Sequence, residues 1–450
     1  MGKRRRRVLL VYPDRYYHSR PRKRGALGRL LPLTPPLNLM IVASLTPPSA
    51  FEVRIVDERV EDVPFDDDWD LVGITVLTAD APRAYEIADE FRRRGVKVVL
   101  GGVHVSVLPE EGLSHADAVV VGEAEKVWGK VLRDLERGEL GGVYKGERPE
   151  PSEIPYPAWD LLPTDKARYL KVIQATRGCP HNCAFCMTPR LFGRRWRARP
   201  VEKVAREVKM LGKGEFIFLD DNLAVNPRYV EELSEALSGM EVRWFAGVSF
   251  DVIRRRPDLV GKMARGGCGG VLIGLESISE EALRSVGKGF NLPKAYGEVA
   301  RRLDREGIGL IPSFIFGFDT DGPDIFDRTV DFLIGMGVQA ATFGILTPFP
   351  GTAIYEQFRR EGRIFERDWR FFDGAHVVFK PARMSPLELR EGFLRAYKRF
   401  YSFWRAVRRM VGNIKRPFLS FVNLGFFFAL RHRWRVSGFK EHLAKARAVS

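Results

Sequence analysis

Cysteine is scarce: four residues in 450, too few for a disulfide scaffold in a chain of this length. Long apolar runs are missing too. The longest uncharged stretch, Leu30 to Phe51, carries prolines at 32, 35, 36, 47 and 48, which forbid one continuous spanning helix. No GxGxxG follows the first apolar segment, which argues against a nicotinamide or flavin dinucleotide. The basic start MGKRRRRVLLVYPDR breaks at Pro13-Asp14 with no small-residue cleavage site behind it, unlike a secretory signal. Arg6 stands where an N-myristoylation signal wants Ser or Thr. Nor is charge spread evenly. Of the net +16, five positive residues lie at 3–7, and fourteen Lys or Arg face two Glu over 391–450. The body between is near neutral, which argues against binding nucleic acid with the whole surface.

What is present is ordinary globular material, 45% hydrophobic and 29% charged, enough for two or three domains. Short Val- and Ile-rich runs at Val8–Tyr12, Glu52–Val56, Leu71–Thr75, Lys97–Leu100 and Ala118–Val121 read as strands. Helical patterns at Leu37–Ser44, Ala81–Arg94 and Ala124–Leu135 alternate with them, which predicts an α/β, Rossmann-like, doubly wound domain over residues 1–148. A proline-rich stretch at 149–166 reads as an extended linker. Six further strands are expected at Val172–Thr176, Glu215–Leu219, Arg243–Val248, Val271–Gly274, Leu310–Phe316 and Ala341–Ile345. Helices near 201–211, 227–239, 280–286, 294–306 and 323–335 predict a partial (β/α)6 TIM-type barrel over 167–375. Residues 376–450 read as a helical, basic and aromatic C-terminal region.

Three of the four cysteines fall in RGCPHNCAFC, as Cys179, Cys183 and Cys186. Thiolates so closely spaced in an irregular loop after a barrel strand can converge on an iron–sulfur cluster. A structural zinc with His181 or a distant group as fourth ligand is the alternative. CxxxCxxC at this place, with Phe185 just before the last cysteine, resembles the radical S-adenosylmethionine (AdoMet) superfamily. The resemblance implies that the three cysteines hold a [4Fe-4S] cluster whose open iron takes AdoMet, which is cleaved to a 5′-deoxyadenosyl radical. It also implies AdoMet contacts at Phe185, at Asp220, Asp221 and Asn222 after the second strand, at Ser249, and at Glu276 and Ser277. GFDTDG (317–322) departs from the Gly-Pro-Gly-Glu-like turn of relatives, and TPFPGT (347–352) is similar to theirs. Cys268 reads as a packing residue of a buried strand.

The front domain has no cysteine before Cys179, so it is unlike that of the methylthiotransferases. VVLGGVHVSVLPEE followed by VVVGEAE instead resembles the cobalamin-binding domain of the class B radical AdoMet methyltransferases. This implies a cobalamin rim at Gly101, Gly102, His104, Gly122 and Glu123. The DxHxxG motif that supplies an axial histidine elsewhere is absent, because Asp14 and His18 are wrongly spaced. His104 is therefore read as a loop residue rather than a cobalt ligand.

The implied reaction is methylation of an unactivated carbon; cyclisation or rearrangement without cobalamin, or a zinc-bearing nucleic-acid-binding module, are the competing readings. Thirteen aromatics interleave with Lys and Arg over 391–450, as in helices that lie in a membrane interface. A lid over the barrel is the second reading of that region. Together with the resemblance, it points to a small-molecule or membrane-lipid substrate and an electron donor such as flavodoxin or ferredoxin. The expected location is the cytoplasm, with peripheral contact at the inner membrane face.

Overall fold

A computed structural model describes residues 4–15, 32–165 and 167–405, together with 409, 445 and 448. The chain forms two compact units. The first runs to Val172 and includes the short segments Arg190–Phe192 and Asp368–Arg370; the second holds the remainder.

The first unit is a sheet of β1 (Arg6–Tyr12), β2 (Phe51–Asp57), β3 (Leu71–Thr75), β4 (Lys97–Gly101), β5 (Ala118–Gly122) and β6 (Gly142–Gly146), in the order β2-β1-β3-β4-β5-β6. Every neighbouring pair is parallel. Val8 to Val11 are almost wholly buried, as a strand covered by helices on both faces must be. The order reverses between β1 and β3, which opens a crevice beyond their carboxyl ends. Two features depart from the sequence reading. β6 is a sixth strand whose GVYKG is mostly exposed and carries no apolar run to announce it. The helix Val103–Val107 begins directly after Gly102, and the helix Pro109–His115 follows it, so His104 is helical and not a loop residue. The proline-rich stretch is extended but anchored. Ser44 Oγ donates to the Tyr156 carbonyl at 2.7 Å, the Ala158 N–H donates to the Met40 carbonyl at 3.1 Å, and Ile154 and Leu162 are buried.

The second sheet runs β14-β13-β12-β11-β10-β7. Its strands are β7 (Lys171–Ile173), β10 (Gly214–Phe218), β11 (Val242–Gly247), β12 (Cys268–Glu276), β13 (Gly309–Phe316) and β14 (Thr342–Ile345), with pairing parallel from β10 to β14. Between β7 and β10 the short strands β8 (Thr176–Arg177) and β9 (Arg197–Ala198) pair antiparallel. The helices Phe250–Arg255 and Pro257–Arg265 were not foreseen; Pro257 makes Arg256 extended and splits them. Alternate residues divide the wall, except that Phe245, on the open side of β11, is buried against Gly269 and Gly270. Trp244, Ala246, Val271, Ile273, Leu310, Phe314, Phe316, Phe343 and Ile345 are buried. Gly247, Leu272, Gly274, Ile311, Ser313, Ile315, Thr342 and Gly344, on the opposite face, are not.

β14 ends the sheet, and the helix Pro386–Phe400 closes over it. Ser385 and Glu388 form its capping box, and Leu389, Phe393, Tyr397, Phe400 and Tyr401 are buried. The Tyr397 hydroxyl donates to the Phe343 carbonyl at 2.8 Å and accepts from the Phe343 N–H at 3.1 Å. Tyr401 repeats this on Ala341, donating at 2.7 Å and accepting at 3.0 Å. Each phenol thus satisfies two main-chain groups that a further strand would have taken. Tyr401→Phe is expected to lower stability by about 1–3 kcal/mol, measured by denaturant unfolding, because it strands both groups in a buried place.

This corrects part of the interfacial reading of 391–450: these aromatics are spent on packing. Among the cations, Arg395 and Arg399 pair with Asp327 and Asp331, and Lys445 Nζ reaches the fully buried Glu366 at 2.9 Å. The apolar stretch 418–430, with Phe426-Phe427-Phe428, lies outside the described residues. No helix among the described residues is long and apolar enough to cross a membrane.

Candidate functional site

The three thiols sit on the loop that leaves β8. Gly178 opens it at φ 84°, and a side chain there would run into the Arg195 carbonyl, so only glycine fits. The loop is tied down by main-chain bonds, from Ala184 N–H to Val286 O at 3.0 Å and from Ile354 N–H to Ala184 O at 3.1 Å. Cys179, Cys183 and Cys186 are free and half-buried. Burial raises Cys179 and pushes Cys183 up to about 11, and an ionised Cys186 raises both further. Three soft thiols crowded on one loop fit a cluster, whose iron takes up their charge. His181 is engaged elsewhere. Its ring stacks on Phe290 at 4.1 Å and its Nε2 faces Asp251 at 3.9 Å, so His181 is not placed as the fourth ligand of a zinc.

The residues expected around AdoMet gather behind this loop, in roles the sequence did not show. Asp220 is half-buried and accepts the Thr176 N–H; Asp221 accepts the Gly178 N–H and the Thr188 hydroxyl, both at 2.8 Å. The two carboxylates therefore brace the cysteine loop, and burial pushes Asp220 up to about 7. Asn222 links the loop to β11: its amide nitrogen stands 3.9 Å from Cys179 Sγ, and its carbonyl oxygen accepts the Ser249 N–H at 3.2 Å. Ser249 Oγ and Asp220 Oδ2 are buried without a partner among the described residues, polar atoms placed for a ligand. Phe185 lies 6.4 Å from Phe318, ring to ring.

Glu276 ends β12 at φ 66°, one of two non-glycine residues with positive φ among those described, an outlier that marks a constrained site. Its carboxylate is held by Lys288 Nζ at 2.5 Å. Burial works against the Lys288 charge, but Glu276 outweighs it and, with Cys183 and Cys186 contributing, raises the pKa. Lys288 was missed, because it pairs with Glu276 from twelve residues downstream and matches no motif. Asn291 and Tyr296 fix the same strand end, donating to the Leu275 carbonyl at 3.1 and 3.0 Å. Ser277 is buried and its hydroxyl accepts the Ser279 N–H at 3.0 Å. In GFDTDG, Asp321 closes the turn on the Gly317 and Phe318 N–H groups at 2.9 and 3.0 Å. Thr352 of TPFPGT caps the helix Ala353–Arg360. Cys268 is buried in β12 and packs.

In the first unit the expected cobalamin residues divide. Gly101 has room: the nearest atom to an added Cβ is Val120 Cβ at 3.9 Å. Gly102 (φ 107°) is demanded by the backbone, since a Cβ would stand 2.8 Å from Val76 N and O. Gly122 (φ 86°) donates its N–H to Ser106 Oγ at 3.0 Å, and Glu123 behind it is buried. His104 does not line the rim. It is 0% exposed, stands 3.2 Å from Glu111 Oε1 and packs edge-on to Trp369 at 5.1 Å. Leu77, which the sequence did not single out, stays 40% exposed just past β3. An open glycine and an open leucine beside a switch point fit a bulky, partly apolar ligand such as a corrin.

Asp80, beside Leu77, is buried, which pushes its carboxyl up to about 6. The folded state then holds a proton that the unfolded chain has released, so stability falls as pH rises from about 4 to 6. Asp80→Asn should gain about 2–3 kcal/mol at pH 8, seen as a higher melting temperature, and the gain should vanish as pH falls toward 4.

Comparison with known proteins agrees with this geometry. The B12 binding domain matches residues 24–132 and the Radical SAM superfamily residues 173–333. The chain is 35% identical to bacteriochlorophyllide d C-12(1)-methyltransferase of Chlorobaculum tepidum, over 84% of this chain and 85% of that protein. It is 27% identical to hopanoid C-2 methylase of Rhodopseudomonas palustris, over 82% and 73%. Among solved structures, the methyltransferase TsrM from Kitasatospora setae, with cobalamin and a [4Fe-4S] cluster bound, superposes with a TM-score of 0.63 at 19% identity, over 87% of this chain and 82% of that one. With three thiols on the barrel's first loop and a corrin-type sheet before it, the chain belongs to the cobalamin-dependent radical AdoMet methyltransferases, enzymes of a [4Fe-4S] cluster, AdoMet and cobalamin.

Proposed function

We propose that this enzyme C-methylates an unactivated carbon of a large, rigid, apolar ring compound. The observation that supports this most is the inner wall of the barrel: Leu272, 44% exposed, with Ile311 and Ile315 beside it. The strand residues of β11–β14 on the open face between Arg243 and Glu276 are uncharged, and the Glu276–Lys288 pair against Gly274 bounds them. A substrate held there gains burial, not an ion pair. Relatives named for bacteriochlorophyllide and hopanoid methylation fit that chemistry, so a polycyclic membrane lipid and a tetrapyrrole are its two members.

A cluster held by the three cysteines would supply one-electron reduction of the AdoMet sulfonium, and a cobalamin in the first unit would supply methyl transfer. The chain's own part is to hold and shield. Cys179, Cys183 and Cys186 ligate; Asp220, Asp221 and Asn222 fix their loop. Ser249, Ser277, Phe185 and the Glu276–Lys288 pair surround AdoMet, while Gly101, Gly102, Gly122 and Glu123 shape the corrin rim and His104 supports it. Domain limits at 148, 166 and 375, a flavodoxin or ferredoxin donor, and cytoplasmic placement with peripheral membrane contact through the tail belong to the same proposal. Anaerobic incubation of reconstituted enzyme with methyl-labelled AdoMet, a reductant, and either bacteriochlorophyllide d or a hopanoid tests it. Label in one of them is expected; label in neither overturns the substrate class.

A further inference from the structure

Glycine within a strand is costly, because it forfeits side-chain packing and loses more backbone freedom on folding than any other residue. It usually marks a strained turn or a tight approach. On the open face of the barrel wall, Gly247 in β11 and Gly344 in β14 are neither. Neither has positive φ. A Cβ on Gly247 would find its nearest atom, Asp220 O, at 3.6 Å, and one on Gly344 would find Gly374 O at 3.6 Å and Phe314 O at 3.9 Å, ordinary contact distances. Gly274 differs, since a Cβ there would strike Lys288 Nζ at 2.8 Å, so the ion pair explains it.

The backbone would accept a Cβ at both positions, and β-branched residues are the ones strands favour. What the two glycines leave is space. Gly247 lies level with Leu272 and Ile311, and Ile315 lies level with Gly344. The cleared band therefore crosses three strand spacings, about 14 Å, and four residues along the strands, about 13 Å. Its middle is the apolar strip Leu272, Ile311 and Ile315, with Ser313 and Thr342 as its neutral polar members. That is the footprint of a fused-ring or macrocyclic skeleton.

Resting on the substrate class proposed above, we infer that Gly247 and Gly344 are specificity determinants, whose missing side chains admit a rigid polycycle to the lumen. The test uses the full chain reconstituted with cluster and cobalamin, as wild type, Gly247→Val, Gly344→Val and Gly344→Ala. Methyl transfer to bacteriochlorophyllide d and to a hopanoid is measured, with AdoMet affinity by equilibrium dialysis and the melting temperature alongside. Both valine variants are expected to raise KM for the accepted compound about 10- to 100-fold, with alanine between them and wild type. AdoMet affinity should stay within about twofold, the scale of a contact not made, and the melting temperature should be unchanged or higher. Unchanged KM in both valine variants overturns the inference while leaving the substrate class standing. A matching loss of AdoMet affinity, or a lowered melting temperature, overturns it in favour of a cofactor or folding role. A wild type that methylates neither compound overturns the inference and the substrate class together.

Discussion

A chain with serine at Cys183 is expected to fall well short of about four irons per chain after anaerobic reconstitution and to release 5′-deoxyadenosine only at background. Disturbing an outer partner of a metal ligand costs about 10- to 100-fold; losing the ligand should exceed that, about 1,000-fold or more in AdoMet cleavage. Cys183 is the most informative of the three because its thiol is pushed furthest up, to about 11. The apoprotein holds it protonated and half-buried, so a serine hydroxyl replaces it with little change in the fold. Melting temperature should barely move while iron content and activity collapse. Cys268→Ala supplies the contrast: Cys268 packs in β12 away from the loop, so iron content should stay at the wild-type level. Equal iron in Cys183→Ser and wild type would remove the cluster from this loop.

The second large effect is expected at Lys288. Its ammonium and the Glu276 carboxylate are 14% and 8% exposed, so the pair is internal. Lys288→Met leaves Glu276 buried and uncompensated beside the cysteine loop, which costs about 3–5 kcal/mol. Adding Glu276→Gln removes the stranded charge and should return most of that stability. Activity should not return with it. The Lys288 cation beside Cys183 and Cys186 is gone in both variants, so AdoMet cleavage should stay about 10- to 100-fold down, as for loss of an outer partner of the metal ligands. Lys288→Arg, which keeps the charge, should retain most of both. Full activity in the stable double variant would show that the pair serves folding alone.

The parts of this enzyme that were legible in the sequence are those whose physics is local. Covered parallel strands need continuous Val and Ile, so β1 to β5 announced themselves. Ligand spacing is local too, so RGCPHNCAFC pointed to a metal site, and the family it resembles to the chemistry. What could not be read depends on distant partners. Lys288 is one lysine among many until β12 brings Glu276 against it. His104 stands next to a rim glycine in sequence, but the helix beginning at Val103 turns it inward onto Glu111. Asp220 and Asp221 carry the right chemistry for a cation, yet the nearest free N–H groups are those of their own cysteine loop. The aromatics of 391–401 have a period that suits a membrane interface and a sheet edge equally well; only the unsatisfied main chain of β14 distinguishes the two.

That edge has a consequence for how the chain can be shortened. An outermost strand with bare amides and carbonyls invites another molecule to add on, the first step toward ordered aggregates. Here Tyr397 and Tyr401 occupy those positions at Phe343 and Ala341 without being strands themselves, so recruitment is blocked by two phenols rather than by closing the barrel. A version trimmed before Pro386 would lose both plugs at once. It should self-associate in a concentration-dependent way, with the intermolecular β signal in the infrared that the intact chain lacks.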